Sequence, residues 1–174
     1  MRFDKNKKAF VSAVTLREKI MKKSLLAIIA LMSLLSGCAS VEMASDKDSN
    51  LAKQFNPPSP NKAGVYVYRK DTVVGAALKK DIWIDKKCIG ETAKGVFFYE
   101  EVDGDKEHTI STESEFSPND LVIKMKSGML YFIEQYIKMG VFVGGAAVEQ
   151  RDEETGKADL AELKMAKKGN CDGG

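Results

Sequence analysis

Histidine occurs once in this chain, as His108, and tryptophan once, as Trp83. A Ser/His/Asp or Cys/His machine would have to run through His108, and no GxSxG or comparable nucleophile signature stands ready to partner it. Its neighbours Asp105 and Glu107 share its turn, so it reads as a solvated hairpin histidine, and no catalytic residue is assigned. Asp103, Asp105 and Glu107 alternate as at the start of a calcium loop. The sixth position, however, is His108 where glycine is needed, and the twelfth is Ser114 where a bidentate Glu is needed. A charged turn is the better reading, and no metal or cofactor is expected. Glu100-Glu101 and Asp152-Glu153-Glu154 likewise read as solvated turns and offer no paired acid and base.

Charge is missing altogether from Ser24 to Val41, a run whose apolar centre spans Leu25 to Leu35 and which follows Met21-Lys22-Lys23. A short basic segment ahead of an apolar one is the layout of a secretory signal. An uncleaved signal anchor is the alternative, since the run could just span a bilayer. The run closes on small residues and a cysteine, not on a stop-transfer cluster of charge. Leu35-Ser36-Gly37-Cys38 resembles the lipobox of bacterial lipoproteins. That resemblance implies that the Cys38 thiol receives a diacylglycerol, that a dedicated signal peptidase cuts before it, and that Leu35, Ser36 and Gly37 are its recognition residues. Two or more acyl chains, at about 0.8 kcal/mol per buried CH₂, make such an attachment stable. Ala39 follows the cysteine where Asp resembles the inner-membrane retention signal, so the family rule points to the outer membrane with the domain facing the periplasm. Residues 1–37 are thus expected to be removed as a signal peptide. Residues 1–20 sit ahead of a complete signal, which suggests Met21 as the true start.

The formal charge of +2 changes sign once this leader is set aside. Residues 1–37 hold eight Lys/Arg and two Asp/Glu, so 19 basic and 23 acidic residues remain, a net charge of about −4. Without a basic footprint, nucleic acid is excluded as a partner. The 137 residues from Cys38 onward suffice for one domain with a sizeable core. Cys88 and Cys171 would face an oxidising compartment, where a pair of thiols tends to bond. Two readings stay open: a Cys88–Cys171 disulfide, or a Cys171 in a frayed Gly-rich tail (169–174) with Cys88 an ordinary small hydrophobe.

Residues 38–60 are polar and end on Pro57, Pro58 and Pro60, which reads as a flexible tether able to reach about 70 Å when extended. Beyond Asn61 short β-like runs begin. Val65-Tyr66-Val67-Tyr68 alternates aliphatic and aromatic faces. Ile82-Trp83-Ile84 and Cys88-Ile89-Gly90 flank the polar turn Asp85-Lys86-Lys87. Val96 to Tyr99 and His108 to Thr112 flank Asp103-Gly104-Asp105. Leu121 to Lys126 and Met129 to Ile137 flank Ser127-Gly128, a hairpin signal, and Val141 to Gln150 supplies a further strand bent at Gly144-Gly145. Lys157 to Lys168 alone has helical composition. The expectation is an all-β fold: a small antiparallel β-sandwich over residues 61–168 with a short C-terminal helix.

Three stretches, AKQFNPPSPNKAGVYVYRKD, IWIDKKCIGETAKGVFFYEEVDGDKEHTIST and EETGKADLAELKMAK, resemble a family of bacterial lipoproteins built on a domain of unknown function. The middle one is similar to PEGA-type β-sandwich modules in its D-x-x-x-x-G turn and its His108-Thr109-Ile110 strand. The resemblance implies an immunoglobulin- or transthyretin-like sandwich with no assigned activity. The expected function is a non-enzymatic envelope module, anchored in the lipid bilayer through acylated Cys38, that binds an envelope protein or cell-wall component. Alternatives are an envelope enzyme acting on glycan or peptide, and a carbohydrate-binding module using Tyr66, Tyr68, Trp83, Phe97, Tyr99, Tyr131 and Tyr136 as a stacking strip. Core packing explains the same aromatics more simply.

Overall fold

In a computed structural model that describes residues 40–113, 119–138, 144–169 and 171, the hydrophobic alternation of the sequence becomes two packed sheets. The elements in chain order are α1 (Asp46–Ala52), β1 (Lys62–Arg69), β2 (Lys80–Ile84), β3 (Lys87–Thr92), β4 (Val96–Asp103) and β5 (Lys106–Thr112). They continue with β6 (Asn119–Met125), β7 (Leu130–Lys138), β8 (Gly145–Arg151), α2 (Glu153–Ala161) and β9 (Lys164–Met165). One sheet has the order β8-β7-β1-β4-β9 and the other β3-β2-β5-β6. The fold is therefore the β-sandwich with a short C-terminal helix that the strand spacing suggests.

The chain changes sheet more often than its turns advertise. After β1 it crosses for the hairpin β2–β3, returns for β4, crosses again for β5–β6 and returns for β7–β8. Asp103-Gly104-Asp105 and Ser127-Gly128 are therefore corners between sheets and not hairpin turns. Close packing explains the glycine at the first corner: a Cβ on Gly104 would lie 2.0 Å from Ser127 Oγ. Alternating sheets also places β7 parallel to β1 and β9 parallel to β4, so the larger sheet is mixed and not wholly antiparallel.

Central strand β1 is buried on both faces. Ala63, Val65 and Val67 point between the sheets, where they meet Ile82, Ile84, Ile89, Phe98, Ile110 and Ile133. Tyr66 and Tyr68 point the other way and form a second core with Phe97, Phe132, Leu160 and Leu163 beneath the helices. A polar link ties the sheets together. Gln135 on β7, wholly buried, donates to Thr112 Oγ1 on β5 at 2.7 Å and accepts from Thr92 on β3.

The second core corrects the expected tether. Ser45 caps α1 by accepting from Asp48 N, Ser49 is buried and its Oγ accepts from Met165 N at 3.1 Å, and Met43 bridges to Ala166. Phe55 packs edge-on against Tyr66 and Phe132, with ring centroids 5.4 and 6.0 Å away. A polar sequence can fold in this way because few apolar groups are needed when backbone pairs such as Ala44 N to Met165 O, at 2.9 Å, carry the rest.

At the other end of the chain, α2 begins earlier than its composition suggests because Asp152 caps it, accepting from Thr155 N at 2.8 Å. It ends at Ala161 because Met165 is claimed by the ladder beside Phe97. Residues 139–143, which include the start of the strand expected from Val141 to Gln150, lie outside the described residues, and the rest of that strand is β8.

Burial pushes the Tyr66 phenol up to about 12. Burial, and then Asp159, push Tyr68 up as well, and burial followed by Glu101 does the same to Tyr99. A phenol whose folded value is raised stabilises the fold fully below its unfolded value near 10, and that contribution is lost as pH rises toward the folded one. We expect a cooperative alkaline transition in which these tyrosines ionise together with loss of structure, read by absorbance at 295 nm beside circular dichroism. Ionisation of all five tyrosines near pH 10 in a protein that stays folded would contradict it.

Candidate functional site

The first described residues, from Ser40 onward, form one wall of a cleft. Ser40, Val41 and Glu42 line it from one side, Lys79 and Glu91 from the smaller sheet, and Lys167, Lys168 and Gly169 from the segment after β9; its volume is about 360 Å³. Two backbone facts create this arrangement. Lys167 N donates to Glu42 O at 2.8 Å, lacing the first described residues to the last ones, and Gly169 N donates to Ile89 O at 2.9 Å, lacing those to β3. Val41 meanwhile packs against the inter-sheet core.

The cleft is polar, and its charged side chains are paired. Lys79 Nζ lies 2.8 Å from Glu91 Oε2 and Lys167 Nζ 2.7 Å from Glu42 Oε1. Glu100 just beyond receives both Lys87, at 2.9 Å, and Lys168. Burial pushes the Glu100 carboxyl up, but those two ammonium groups outweigh it and hold the acid below its usual range. Such a rim can meet phosphate, carboxylate or hydroxyl groups.

Cys88 and Cys171 are joined in a disulfide, with Cα atoms 6.0 Å apart. The bridge pins the chain after Gly169 to β3, so the C-terminal stretch is held through Cys171 and not frayed there. Leu35, Ser36, Gly37 and Cys38, the residues of the expected lipobox, lie outside the described residues.

His108 is not the solvated histidine of the turn reading. It is buried at one end of the inter-sheet layer, with Nδ1 2.6 Å from Asp85 Oδ2 and Nε2 2.7 Å from the Asp103 carbonyl oxygen. The ring is thus held from both sides, by the Asp85 carboxyl and by the Asp103 carbonyl oxygen. Burial pushes the Asp85 carboxyl up, but the Thr109 amide and the His108 ring outweigh it and leave it below the usual range. The contribution of Asp85 is therefore present at neutral pH and lost as pH falls below its ordinary value near 4. The sequence reading missed this because Asp85 comes from the β2–β3 turn, 23 residues away. His108→Ala orphans the Asp103 carbonyl and removes a ring from the layer, so we expect a loss of about 2–3 kcal/mol in urea unfolding. A loss below about 0.5 kcal/mol would return His108 to the surface class.

The remaining candidates disperse. Asp103 is exposed and pairs with Lys62 and Lys106 at 2.8 and 2.7 Å, which hold its carboxyl far below the usual range. Asp105 accepts from Ser127 N. Among the described residues no cluster of His, Cys, Asp and Glu could hold a metal. Tyr66, Tyr68 and Phe97 are core, Tyr99 packs against them and Tyr131 packs on the inter-sheet core, so the seven aromatics do not form one stacking strip; Tyr136 is exposed on β7, and Trp83, half-buried, points outward from the smaller sheet between Cys88 and Ser111. A second charged group, Lys70, Glu134, Arg151 and Asp159 with the Tyr68 hydroxyl, is knit together beside α2. No sequence signal announces either that group or the cleft, because their members are far apart in the chain.

The comparisons with known proteins give a family without an activity. The chain is 56% identical over 139 residues to an uncharacterized protein of Haemophilus influenzae (strain Rd), a match covering 80% of this chain and 82% of that one. No solved structure matches. Residues 59–146, from just before β1 into β8, match the family described as a protein of unknown function, DUF2846. With half of its length in that match and a relative this similar, the chain belongs to the DUF2846 family.

Proposed function

We propose that this protein is an acylated envelope lipoprotein whose sandwich serves as a non-enzymatic binding or structural module on the periplasmic side of the outer membrane. The observation that carries the proposal is the Leu35-Ser36-Gly37-Cys38 motif at the end of a charge-free run. Ala39 after the cysteine supports the outer membrane. A module without chemistry of its own accords with His108, the only histidine, being committed to Asp85 and to the Asp103 carbonyl.

Cells fed an alkyne-bearing palmitate test this. The wild-type protein should take up the label and sediment with outer-membrane vesicles, and Cys38→Ala should take up none. A wild-type protein that stays unlabelled, or a Cys38→Ala variant labelled equally, refutes acylation at this thiol. Sedimentation with the inner membrane would refute the outer-membrane address alone.

A second reading rests on Trp83, the one outward-facing tryptophan on the open sheet. A glycan-binding module should shift its fluorescence on titration with peptidoglycan fragments, and an unchanged spectrum rejects that reading.

A further inference from the structure

We propose that the sandwich stands on the bilayer on its β3–β9 edge, with the cleft of Lys79, Lys167 and Lys168 against the headgroups and the β6–β8 edge turned away. This rests on the acylation of Cys38 proposed above, and it replaces a domain swinging on a long tether with one held at a fixed face.

The chain length forces the geometry. Only Ala39 and Ser40 separate Cys38 from Val41, which is packed on the inter-sheet core, and Glu42 is already laced to Lys167. Three residue steps reach about 10 Å at full extension. Whatever face surrounds Ser40 must then lie within that distance of the lipid-bearing thiol, and that face is the cleft. The fold would allow free tumbling only if residues 40–56 came loose. Against that stand the Met43–Ala166 bridge, buried Ser49 and the packing of Phe55 on two rings.

The chemistry of the edge suits an anionic headgroup layer. Lys87, Lys167 and Lys168 pair with two carboxylates, Glu42 and Glu100, leaving one cation in excess among these pairs on a chain whose net charge after the leader is acidic. The ammonium groups of Lys87, Lys167 and Lys168 each have three donors, so an ion pair with glutamate leaves others for phosphate oxygens. Attachment by acyl chains puts the ammonium groups at the surface, where each lysine contributes about 1 kcal/mol of attraction to anionic lipid.

The order β3-β2-β5-β6 gives the proposal a measurable axis. Three strand spacings of about 4.8 Å put β6 roughly 14 Å from β3. Fluorophores are attached to Lys79→Cys, Lys167→Cys and Lys124→Cys in the acylated protein, reconstituted into vesicles of phosphatidylethanolamine and phosphatidylglycerol that carry a headgroup-bound quencher. Lys124 is an exposed residue of β6 and serves as the distant site. Quenching at positions 79 and 167 should be several-fold stronger than at 124. Equal quenching at all three, or stronger quenching at 124, overturns the proposal. A Gly/Ser linker of about 20 residues inserted after Ser40 spans about 25 Å on average and should erase the difference; a difference that survives the linker shows that the edge binds headgroups without needing the short spacer, which supports the charged contact and refutes the spacer as its cause. The intact mass of the same preparation separates the two levels. Lipid mass on Cys38 with uniform quenching refutes the orientation alone, whereas absence of lipid mass refutes the anchor and the orientation with it.

Discussion

Reduction of the Cys88–Cys171 bridge should lower the stability of the domain by about 4–5 kcal/mol, the largest single change expected from any two atoms in the molecule. The bridge closes a loop with a sequence separation of 83 residues, and the chain-entropy relation assigns that size of loop about this stabilisation. A domain of this size is stable by about 5–15 kcal/mol in all, so a large share rests on one bond. Its location adds a local effect. Cys171 holds the segment that carries Lys167, Lys168 and Gly169, and with it one wall of the cleft. Urea unfolding with and without a strong reductant, and of Cys88→Ser/Cys171→Ser, should shift the midpoint strongly in both cases. A shift corresponding to less than about 1 kcal/mol would mean that the unfolded chain gains little freedom when the loop opens.

Phe55→Ala should cost about 2–3 kcal/mol, which no residue of a tether could do. The ring sits against Tyr66 and Phe132, and Lys157 Nζ lies 5.2 Å from its centroid. Truncating a packed aromatic forfeits both transfer free energy and the contacts of its neighbours. Phe55 also has φ of +53°, a conformation that costs a non-glycine residue about 1 kcal/mol or more and persists only where packing over-determines it. Thermal or urea unfolding of the single variant is the check. A change within about 0.5 kcal/mol is what an exposed spacer would give, and it would detach α1 from the second core.

Local pattern in the sequence was a good guide to where strands are and a poor one to how they join. Val65-Tyr66-Val67-Tyr68 and Ile82-Trp83-Ile84 stand where their alternation puts them, because period-two spacing is a property of the strand itself. The same alternation could not say that Tyr66 and Tyr68 are covered. Their cover comes from Ala52, Phe55 and Leu160, far away in the chain, and their hydroxyls find Ala52 O and Asp159. Ser127-Gly128 carries a turn signal that the structure honours with φ of +79° at Gly128, yet a turn signal does not specify which sheet receives the next strand. KADLAELKMAKK was composed like a helix, and its second half became β9 because Phe97 had an open ladder to offer. Residues 39–60 looked like a spacer since polar composition is the usual mark of one. What folds the described part, from Ser40 onward, is a handful of specific contacts from Val41, Met43, Ser49 and Phe55.

The candidate site divides along the same line. The lipobox-like motif on which the proposed acylation rests is legible because its four residues, Leu35 to Cys38, are contiguous. The cleft is a product of tertiary lacing between Glu42 and Lys167 and between Ile89 and Gly169, which no spacing rule encodes.

Intact mass spectrometry of the protein extracted with detergent from membranes tests the proposed anchor most directly. A polypeptide running from Cys38 to the C-terminus, with the Cys88–Cys171 bridge intact and the mass of a diacylglycerol added at its first residue, is the expected result. A chain that retains residues before Cys38 and carries no lipid mass would contradict it.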